Sequence, residues 1–205
     1  MQTIICTVGT SLLGNASREI KSEITREVLQ GFISRVGEER ASAETNSLKR
    51  ILKDGDEVVF LYSETEDGAL CAETLAAYYQ RNRKINARTR QVRGLSYAHR
   101  SFALRGLKQL VDDIIDEIRR ARREGREPTV NATGGFKAEI AYATLVGLLF
   151  KVPVHYIHEK FQDIIEMPAV PVDWDYTLIA EHEDFFNWLQ KELRRTEKVE
   201  NRLKG

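Results

Sequence analysis

The chain has 205 residues, of which 42% are hydrophobic and 30% are charged. This is enough for one sizeable core with an appendage, and too little for two full domains of ordinary size. Lysine plus arginine equals aspartate plus glutamate at 31 each, so no overall positive field draws the protein onto long nucleic acid. Any nucleotide ligand has to be held by a local site.

The sequence also bounds the compartment. No apolar run approaches the ~20 residues of a membrane span, and we expect no secretory leader because a basic segment leading into an apolar one is missing. Cys6 lies in an apolar strand and Cys71 in a helix, which is typical of buried free thiols in a reducing environment. We therefore expect a cytoplasmic protein without membrane contact.

The first elements begin at the N-terminus. Residues 3–8 are apolar and β-branched, which predicts a strand buried on both faces, as in a parallel sheet. A loop over 9–15 follows, and apolar residues at helical spacing then predict one helix to about Val36. A second helix is expected over about 43–53 and a second buried strand over 57–62.

The rest of the chain continues the alternation. Residues 85–92 predict a third strand, in which charged residues alternate with apolar ones as is typical of a sheet edge. The other predicted elements are helices over about 67–82, 101–124 and 136–150, strands over 129–132 and 152–157, and a hairpin partner over 163–167.

Strands that alternate with helices predict right-handed crossovers and an α/β fold. We expect a Rossmann-like parallel sheet flanked by helices, with a C-terminal hairpin and a helical extension. Two prolines within 168–171 fit neither a helix nor an inner strand. This divides the chain into a Rossmann-like domain over 1–167 and a C-terminal helical extension or linker over 168–205, with a last helix over about 181–195.

The first candidate loop, residues 9–15, follows the first strand. Glycines let backbone approach a ligand closely, and Thr10 and Ser11 add hydroxyl groups before a helix N-terminus that can bind an anion. Asn15 and Ala16 stand where a Walker loop needs Lys and Ser or Thr, and the Gly-x-Gly-x-x-Gly pattern is missing, so neither an ATPase nor a dinucleotide site is indicated. The alternative is a tight turn in which Ser11 caps the helix.

The second candidate loop is Thr133-Gly134-Gly135-Phe136-Lys137. Paired glycines let consecutive amides converge on an anion, while a cation in the first turn of a helix is disfavoured by the helix dipole. Either a bound phosphate or Glu139 resolves that mismatch for Lys137. Two such loops can converge at a switch point of the sheet and form one phosphate- or nucleotide-binding site.

Weaker candidates follow other strands. Ser63 and Glu64 could contact a ribose or a base, or form a solvated acidic turn. Arg105, with Arg93 and Arg100, could hold phosphates or belong to a charged surface.

The histidines do not form a metal site. His155 and His158 face opposite sides of a strand, and His99 and His182 are isolated. We therefore expect neither a metal nor a cofactor.

Two motifs resemble those of the CARF family, the CRISPR-associated Rossmann fold. They are Thr-x-Gly-Thr-Ser-Leu after the first strand and Asn-Ala-Thr-Gly-Gly-Phe-Lys-x-Glu before the late helix. Residues 42–48 are similar to a segment of one branch, and the resemblance covers about 1–167. It implies a two-fold homodimer that binds cyclic oligoadenylate, a second messenger of type III CRISPR antiviral defence, with cyclic tetra-adenylate the first choice. The residues implied to line the site are Gly9, Thr10, Ser11, Leu12, Asn15, Thr133, Gly134, Gly135, Phe136 and Lys137.

Some CARF proteins are ring nucleases, in which the ribose 2′-hydroxyl attacks the adjacent phosphorus without a metal. The resemblance implies that Ser11 orients the ribose or phosphate and that Lys137 stabilises the growing charge, while no general base is evident. The alternative is a non-catalytic sensor, either alone or as part of a longer effector, since the residues after Pro171 are too few for a catalytic domain and lack an Arg-x4–6-His pattern. A third alternative is another nucleotide-binding Rossmann enzyme.

Overall fold

The structure is a computed structural model that describes residues 1–96, 105–157, 163–190 and 195–203. Its strands form one sheet of order β3-β2-β1-β4-β5-β6, parallel except for the antiparallel last pair. The strands are β1 (Gln2–Val8), β2 (Glu57–Ser63), β3 (Asn86–Val92), β4 (Glu127–Asn131), β5 (Val154–Tyr156) and β6 (Ile165–Glu166). The predicted α/β class and the hairpin are confirmed.

Helices connect the strands and cover both faces of the sheet. The helices are α1 (Ser11–Glu19), α2 (Arg26–Val36), α3 (Glu38–Ala41), α4 (Ala43–Ile51), α5 (Glu66–Arg83), α6 (Leu107–Arg123), α7 (Lys137–Leu149), α8 (Tyr176–Glu181), α9 (Glu183–Gln190) and α10 (Thr196–Leu203). Within the described ranges, none is long and apolar enough to cross a membrane.

The two faces of β1 belong to different cores. Ile4 and Cys6 face the core that α1, α2, α4 and α5 cover, whereas Ile5 faces the core under α6 and α7. Side chains of a strand alternate between its faces, so both cores draw on the same central strand. The chain leaves β1 toward one face and β4 toward the other, which makes the gap between these strands a topological switch point.

The single helix predicted to Val36 is wrong. α1 ends at Glu19, and α2 begins after Thr25, whose extended backbone and hydroxyl cap the new helix by accepting from the Val28 N–H at 3.4 Å. Ile20 and Ile24 still pack against the same core from the connecting segment. Their spacing therefore imitates a continuous helical stripe although the backbone is interrupted.

Two further boundaries differ from the prediction. The helix expected over 181–195 begins at Glu183 as α9, since α8 ends at Glu181, and residues 191–194 lie outside the described ranges. It is not the last helix, because α10 follows over Thr196–Leu203. α6 begins at Leu107, and the predicted start at 101 lies outside the described residues.

β3 lies at the edge of the sheet, as its alternating charges predict. Arg88 and Arg90 reach α6, where the Nη1 atom of each lies 3.0 Å from Glu117 Oε1. Arg88 Nε also donates to Glu57 Oε1 at 3.0 Å. The Glu57 and Glu117 side chains are only 3% exposed, against 29% for Arg88 and 30% for Arg90. Ion pairs therefore cover this edge on the α6 side.

The chain divides into two compact units, Met1–Val170 and Pro171–Gly205. The first contains the sheet and its flanking helices through α7, and the second contains α8, α9 and α10. The assignment of 1–167 as a CARF-like Rossmann domain and of 168–205 as a helical extension or linker stays a prediction.

Candidate functional site

The two glycine-containing loops meet at the switch point. β1 and β4 are neighbours, with Cys6 opposite Asn131 near their carboxyl ends. The Thr7 hydroxyl donates to the carbonyl of Gly134 at 2.6 Å. A Cβ placed on Gly9 would lie 2.7 Å from the Gly135 nitrogen, so the backbones approach closely and leave no room for a side chain. The predicted convergence of the loops is present in the structure.

The first loop is shorter than predicted. α1 begins at Ser11, so only Gly9 and Thr10 lie outside a regular element, and the expected loop over 9–15 is wrong. Thr10 occupies the capping position without a side-chain bond, which also corrects the alternative in which Ser11 caps the helix.

Two site candidates of α1 are held by the protein itself. Leu12 is 0% exposed and packs in the core under α1, so its side chain offers no surface to a ligand. Asn15 donates through Nδ2 to the Ala41 carbonyl at 3.1 Å, although it also lines an open cleft.

Glu44 is a site residue that the sequence does not single out. Its side chain is 0% exposed, and it accepts from the Gly9 N–H through Oε1 at 2.8 Å and from the Ser11 hydroxyl through Oε2 at 3.1 Å. It lies in the first turn of α4, behind a capping box of Ser42 and Thr45, where a carboxylate suits the helix dipole. The Gly9 amide that we expected to face a ligand is therefore taken by a protein carboxylate.

The paired glycines of the second loop make room for two carboxylates. A Cβ on Gly134 would lie 1.9 Å from Glu44 Oε1, and a Cβ on Gly135 would lie 2.4 Å from Glu139 Oε2. Gly135 also has a φ of +102°, in the region that favours glycine. Both glycines are thus required by the protein's own packing.

Thr133 joins the second loop to the neighbouring strand. Its hydroxyl donates to Asn131 Oδ1 at 2.8 Å and accepts from the Ile157 N–H at 3.2 Å. Asn131 in turn donates to Ser47 Oγ at 2.7 Å. Because this buried network uses the Thr133 side chain, its direct role is to hold the loop against α4 and the end of β5.

Lys137 is exposed and is the first residue of α7, with Phe136, half-buried, at the capping position. Within the part of the chain that the structure describes, its ammonium makes no ion pair. Burial raises the pKa of Glu139 to about 8. The Phe136 N–H opposes this shift and the Glu44 carboxylate adds to it. Glu139 is therefore mostly neutral at pH 7 and does not balance the charge of Lys137.

The raised pKa of Glu139 predicts a pH-dependent stability. The Glu139 carboxyl keeps its proton in the folded state up to about pH 8, but loses it near pH 4.5 in the unfolded chain. The folded state therefore loses stability as the pH rises from the lower of these values to the higher. We expect the free energy of unfolding to fall by about 2 kcal/mol between pH 6 and pH 8 through this group. Urea unfolding at both values measures it, and Glu139→Gln should remove that part of the decline; an equal decline in the variant contradicts the assignment.

An open cleft of about 500 Å³ adjoins the first loop. It contains Thr10 and Ser11, and Arg18 and Arg40 add positive charge. The full lining is Thr10, Ser11, Gly14, Asn15, Arg18, Glu39, Arg40, Ser42, Ala43, Asn46 and Ile157. A cleft of about 530 Å³ at the opposite end of the strands contains none of the predicted site residues.

The weaker candidates lie at the carboxyl ends of β2 and β3. Ser63 is buried and its hydroxyl pairs with that of Thr65 at 3.0 Å. Glu64 Oε2 accepts from the Gly94 N–H at 2.7 Å and so ties the two strand ends together. Arg105 is exposed beside Gly94.

The candidate phosphate ligand Arg100 and the histidines His99 and His158 lie outside the described residues.

Comparison with known proteins gives a family and a fold. Residues 39–170 match the family described as CRISPR-associated protein (Cas_APE2256). Csm6 of Enterococcus italicus, solved bound to cyclic hexa-2′-fluoro-hexa-dAMP, superposes with a TM-score of 0.53 at 10% identity, over 100% of this chain and 52% of that one. At this identity the likeness concerns the fold alone, and it agrees with the α/β architecture above.

Two further structures match with lower TM-scores. Can2 of Sulfobacillus thermosulfidooxidans in complex with cyclic tetra-adenylate has a TM-score of 0.42 and 16% identity, over 81% of this chain and 35% of that one. Protein VC1899 of Vibrio cholerae has a TM-score of 0.45 and 9% identity, over 81% and 33%. The chain thus spans between 33% and 52% of the length of these three proteins.

Proposed function

Since the chain belongs to the Cas_APE2256 family of CRISPR-associated proteins, we propose that it senses a cyclic oligoadenylate in type III CRISPR antiviral signalling, with cyclic tetra-adenylate as the first ligand to test. The membership confirms the CARF resemblance that the motifs indicate. Csm6 of Enterococcus italicus, which has a similar fold, was solved bound to a cyclic hexanucleotide.

The observation that carries the proposal is the charge of Lys137 at the meeting point of the two loops. An exposed cation at a helix N-terminus is unfavourable unless an anion lies beside it. Glu139 does not supply that anion at pH 7, because burial raises its pKa to about 8. A phosphate at this position gains both the lysine and the amides that the first turn of α7 leaves without helical partners.

The site is a surface of one chain, and we propose that two chains share it. α1 and α7 both begin at the carboxyl ends of the strands, so a two-fold axis beside these strand ends presents each loop twice. A ring of repeating adenylates has matching symmetry. Chains at micromolar concentration should then be dimers, and monomers with and without the ring would count against a shared site.

Cleavage of the bound ring is the second candidate function. Ser11 is held in one orientation by Glu44 and Ala43, beside the loop that carries Lys137. This supports a metal-independent attack of a ribose 2′-hydroxyl on phosphorus, with Ser11 near the ribose and Lys137 near the developing charge. The P–O5′ bond breaks, and the reaction leaves a 2′,3′-cyclic phosphate and a 5′-hydroxyl that takes up the proton lost by the 2′-hydroxyl. The alternative is a sensor without cleavage, either alone or as part of a longer effector.

The test is to incubate the chain in EDTA with labelled cyclic tetra- and hexa-adenylate, then to measure affinity and separate the products. We expect binding in the wild type and a loss of roughly 100-fold or more in Lys137→Ala, because each subunit of the shared site loses one charge-assisted bond to phosphate. Lys108→Ala is the matched control, because that exposed lysine pairs with Asp112 on α6 at 2.9 Å.

The products separate the candidate functions. Linear products with 2′,3′-cyclic phosphate ends, lost in Ser11→Ala and Lys137→Ala, support the nuclease. An intact ring after tight binding supports the sensor. Binding of neither ring contradicts both and favours another nucleotide-binding Rossmann protein.

A further inference from the structure

The Ser11 hydroxyl has a fixed direction in this structure. A serine hydroxyl has one proton to donate and two lone pairs to accept with. The Ala43 N–H donates to Ser11 Oγ at 3.1 Å and occupies one lone pair. A carboxylate can only accept, so the contact of 3.1 Å with Glu44 Oε2 requires the Ser11 proton. The one capacity that Ser11 has left is a second lone pair.

The carboxylate that imposes this direction is itself immobilised. Glu44 is 0% exposed and its other oxygen accepts from the Gly9 N–H at 2.8 Å. Gly134 packs so tightly against it that even a Cβ on this glycine would lie 1.9 Å from Oε1. Rotation of the carboxylate would leave the Gly9 N–H unpaired, which is costly at a buried site.

We propose that Glu44 is a positioning residue that presents Ser11 to the ligand as a hydrogen-bond acceptor, so that Ser11 selects a ribose 2′-hydroxyl and disfavours a phosphate oxygen. The inference rests on the proposed function and names the part of the ring that this side of the site reads. A phosphate oxygen has no proton to donate at neutral pH, and it would face both a lone pair and the Glu44 carboxylate. Phosphates then belong beside Lys137 and the start of α7.

Replacing Glu44 by glutamine should reverse the direction of the Ser11 hydroxyl. The Gly9 N–H needs an acceptor, which places the amide oxygen of the new side chain at the Oε1 position. The amide NH2 then faces Ser11 Oγ and donates to it. With both lone pairs engaged by N–H groups, the Ser11 proton points to the ligand. Glu44→Gln therefore changes one atom and converts Ser11 from an acceptor into a donor.

The experiment compares the affinities for cyclic tetra-adenylate and for its all-2′-O-methyl counterpart, whose 2′-oxygens can accept a hydrogen bond but cannot donate one, in EDTA, by calorimetry. The wild type should prefer the ribose ring by roughly 10-fold, since one lost bond per subunit acts twice in a symmetric site. In Glu44→Gln the ratio should fall to that of Ser11→Ala, because a donating Ser11 bonds the 2′-oxygen of either ring, and an alanine at this position bonds neither. Ser17→Ala, an exposed serine of the same helix that bonds Leu13 O, should keep the wild-type ratio.

The comparison of ratios between variants cancels any effect of the methyl groups on the shape of the ring, and thermal unfolding checks that each variant is folded. Equal binding of both rings by the wild type would overturn the inference and leave the proposed function standing. A wild-type ratio in Glu44→Gln overturns the role of Glu44. Binding of neither ring overturns the inference and the proposed function together.

Discussion

Replacing Gly134 by alanine is expected to destabilise the protein by about 3 kcal/mol and to abolish ring binding. The new methyl group would lie 1.9 Å from Glu44 Oε1 and 2.6 Å from its carboxyl carbon. Either the carboxylate is pushed away, which leaves the Gly9 N–H and the Ser11 hydroxyl without their partner, or the loop moves and breaks the 2.6 Å bond from Thr7. Both routes disturb the site and the core together.

Gly14→Ala is the matched control for this variant. Nothing lies within 4 Å of a Cβ built at Gly14, which is inside α1. Alanine there should stabilise the protein by up to about 1 kcal/mol, because glycine is the poorer helix former. Urea unfolding measures both variants, and a Gly134→Ala protein as stable as the wild type would show that Glu44 does not hold the position described here.

Glu117→Ala is expected to lower the free energy of unfolding by about 2–4 kcal/mol. The Glu117 carboxylate is 3% exposed and contacts Arg88 and Arg90 at the edge of the sheet. Its removal leaves two guanidinium groups near each other with less compensation. Breaking a buried pair by removing one partner costs more than the pair contributes. The arginines keep 29–30% exposure, which places the expected loss below that of a fully buried pair.

Glu19→Ala provides the comparison on the surface. Arg35 donates to Glu19 at 2.8 Å, but the two side chains are 58% and 51% exposed. Water and salt screen such a pair, so its loss should cost less than about 1 kcal/mol. If urea unfolding gives equal losses of stability for Glu19→Ala and Glu117→Ala, the burial of Glu117 does not strengthen its ion pairs with Arg88 and Arg90.

The sequence was sufficient to predict that the two candidate loops can meet at a switch point of the sheet. The apolar runs at the start of β1 and at β4 have the composition of inner parallel strands, and each is followed by glycine and by a helix. That pattern is local, so it can be read within about ten residues of each strand. The charged alternation of β3 likewise predicted an edge strand.

The role of Glu44 could not be predicted in this way. It depends on contacts with Gly9 and Ser11, 35 and 33 residues away along the chain, and nothing in the local pattern of α4 distinguishes Glu44 from other acidic residues in a first turn. The similarity of 42–48 to a known segment marked the region but not the contact. The break between α1 and α2 was missed for a related reason, since Ile20 and Ile24 pack as a helical stripe would.

The register of the central strands has a consequence for how the protein is made. β1 pairs with β2 and β3 follows, so the first 92 residues already contain three adjacent strands and the Gly9, Ser11 and Glu44 contacts. The backbone groups on the other side of β1 pair with β4, which begins at Glu127 opposite Gln2. During translation an apolar strand edge is therefore exposed while some 35 further residues are synthesised, a few seconds at ordinary rates. Of the segments that form the site, the Gly134 loop is synthesised last, after the Glu44 carboxylate against which it packs.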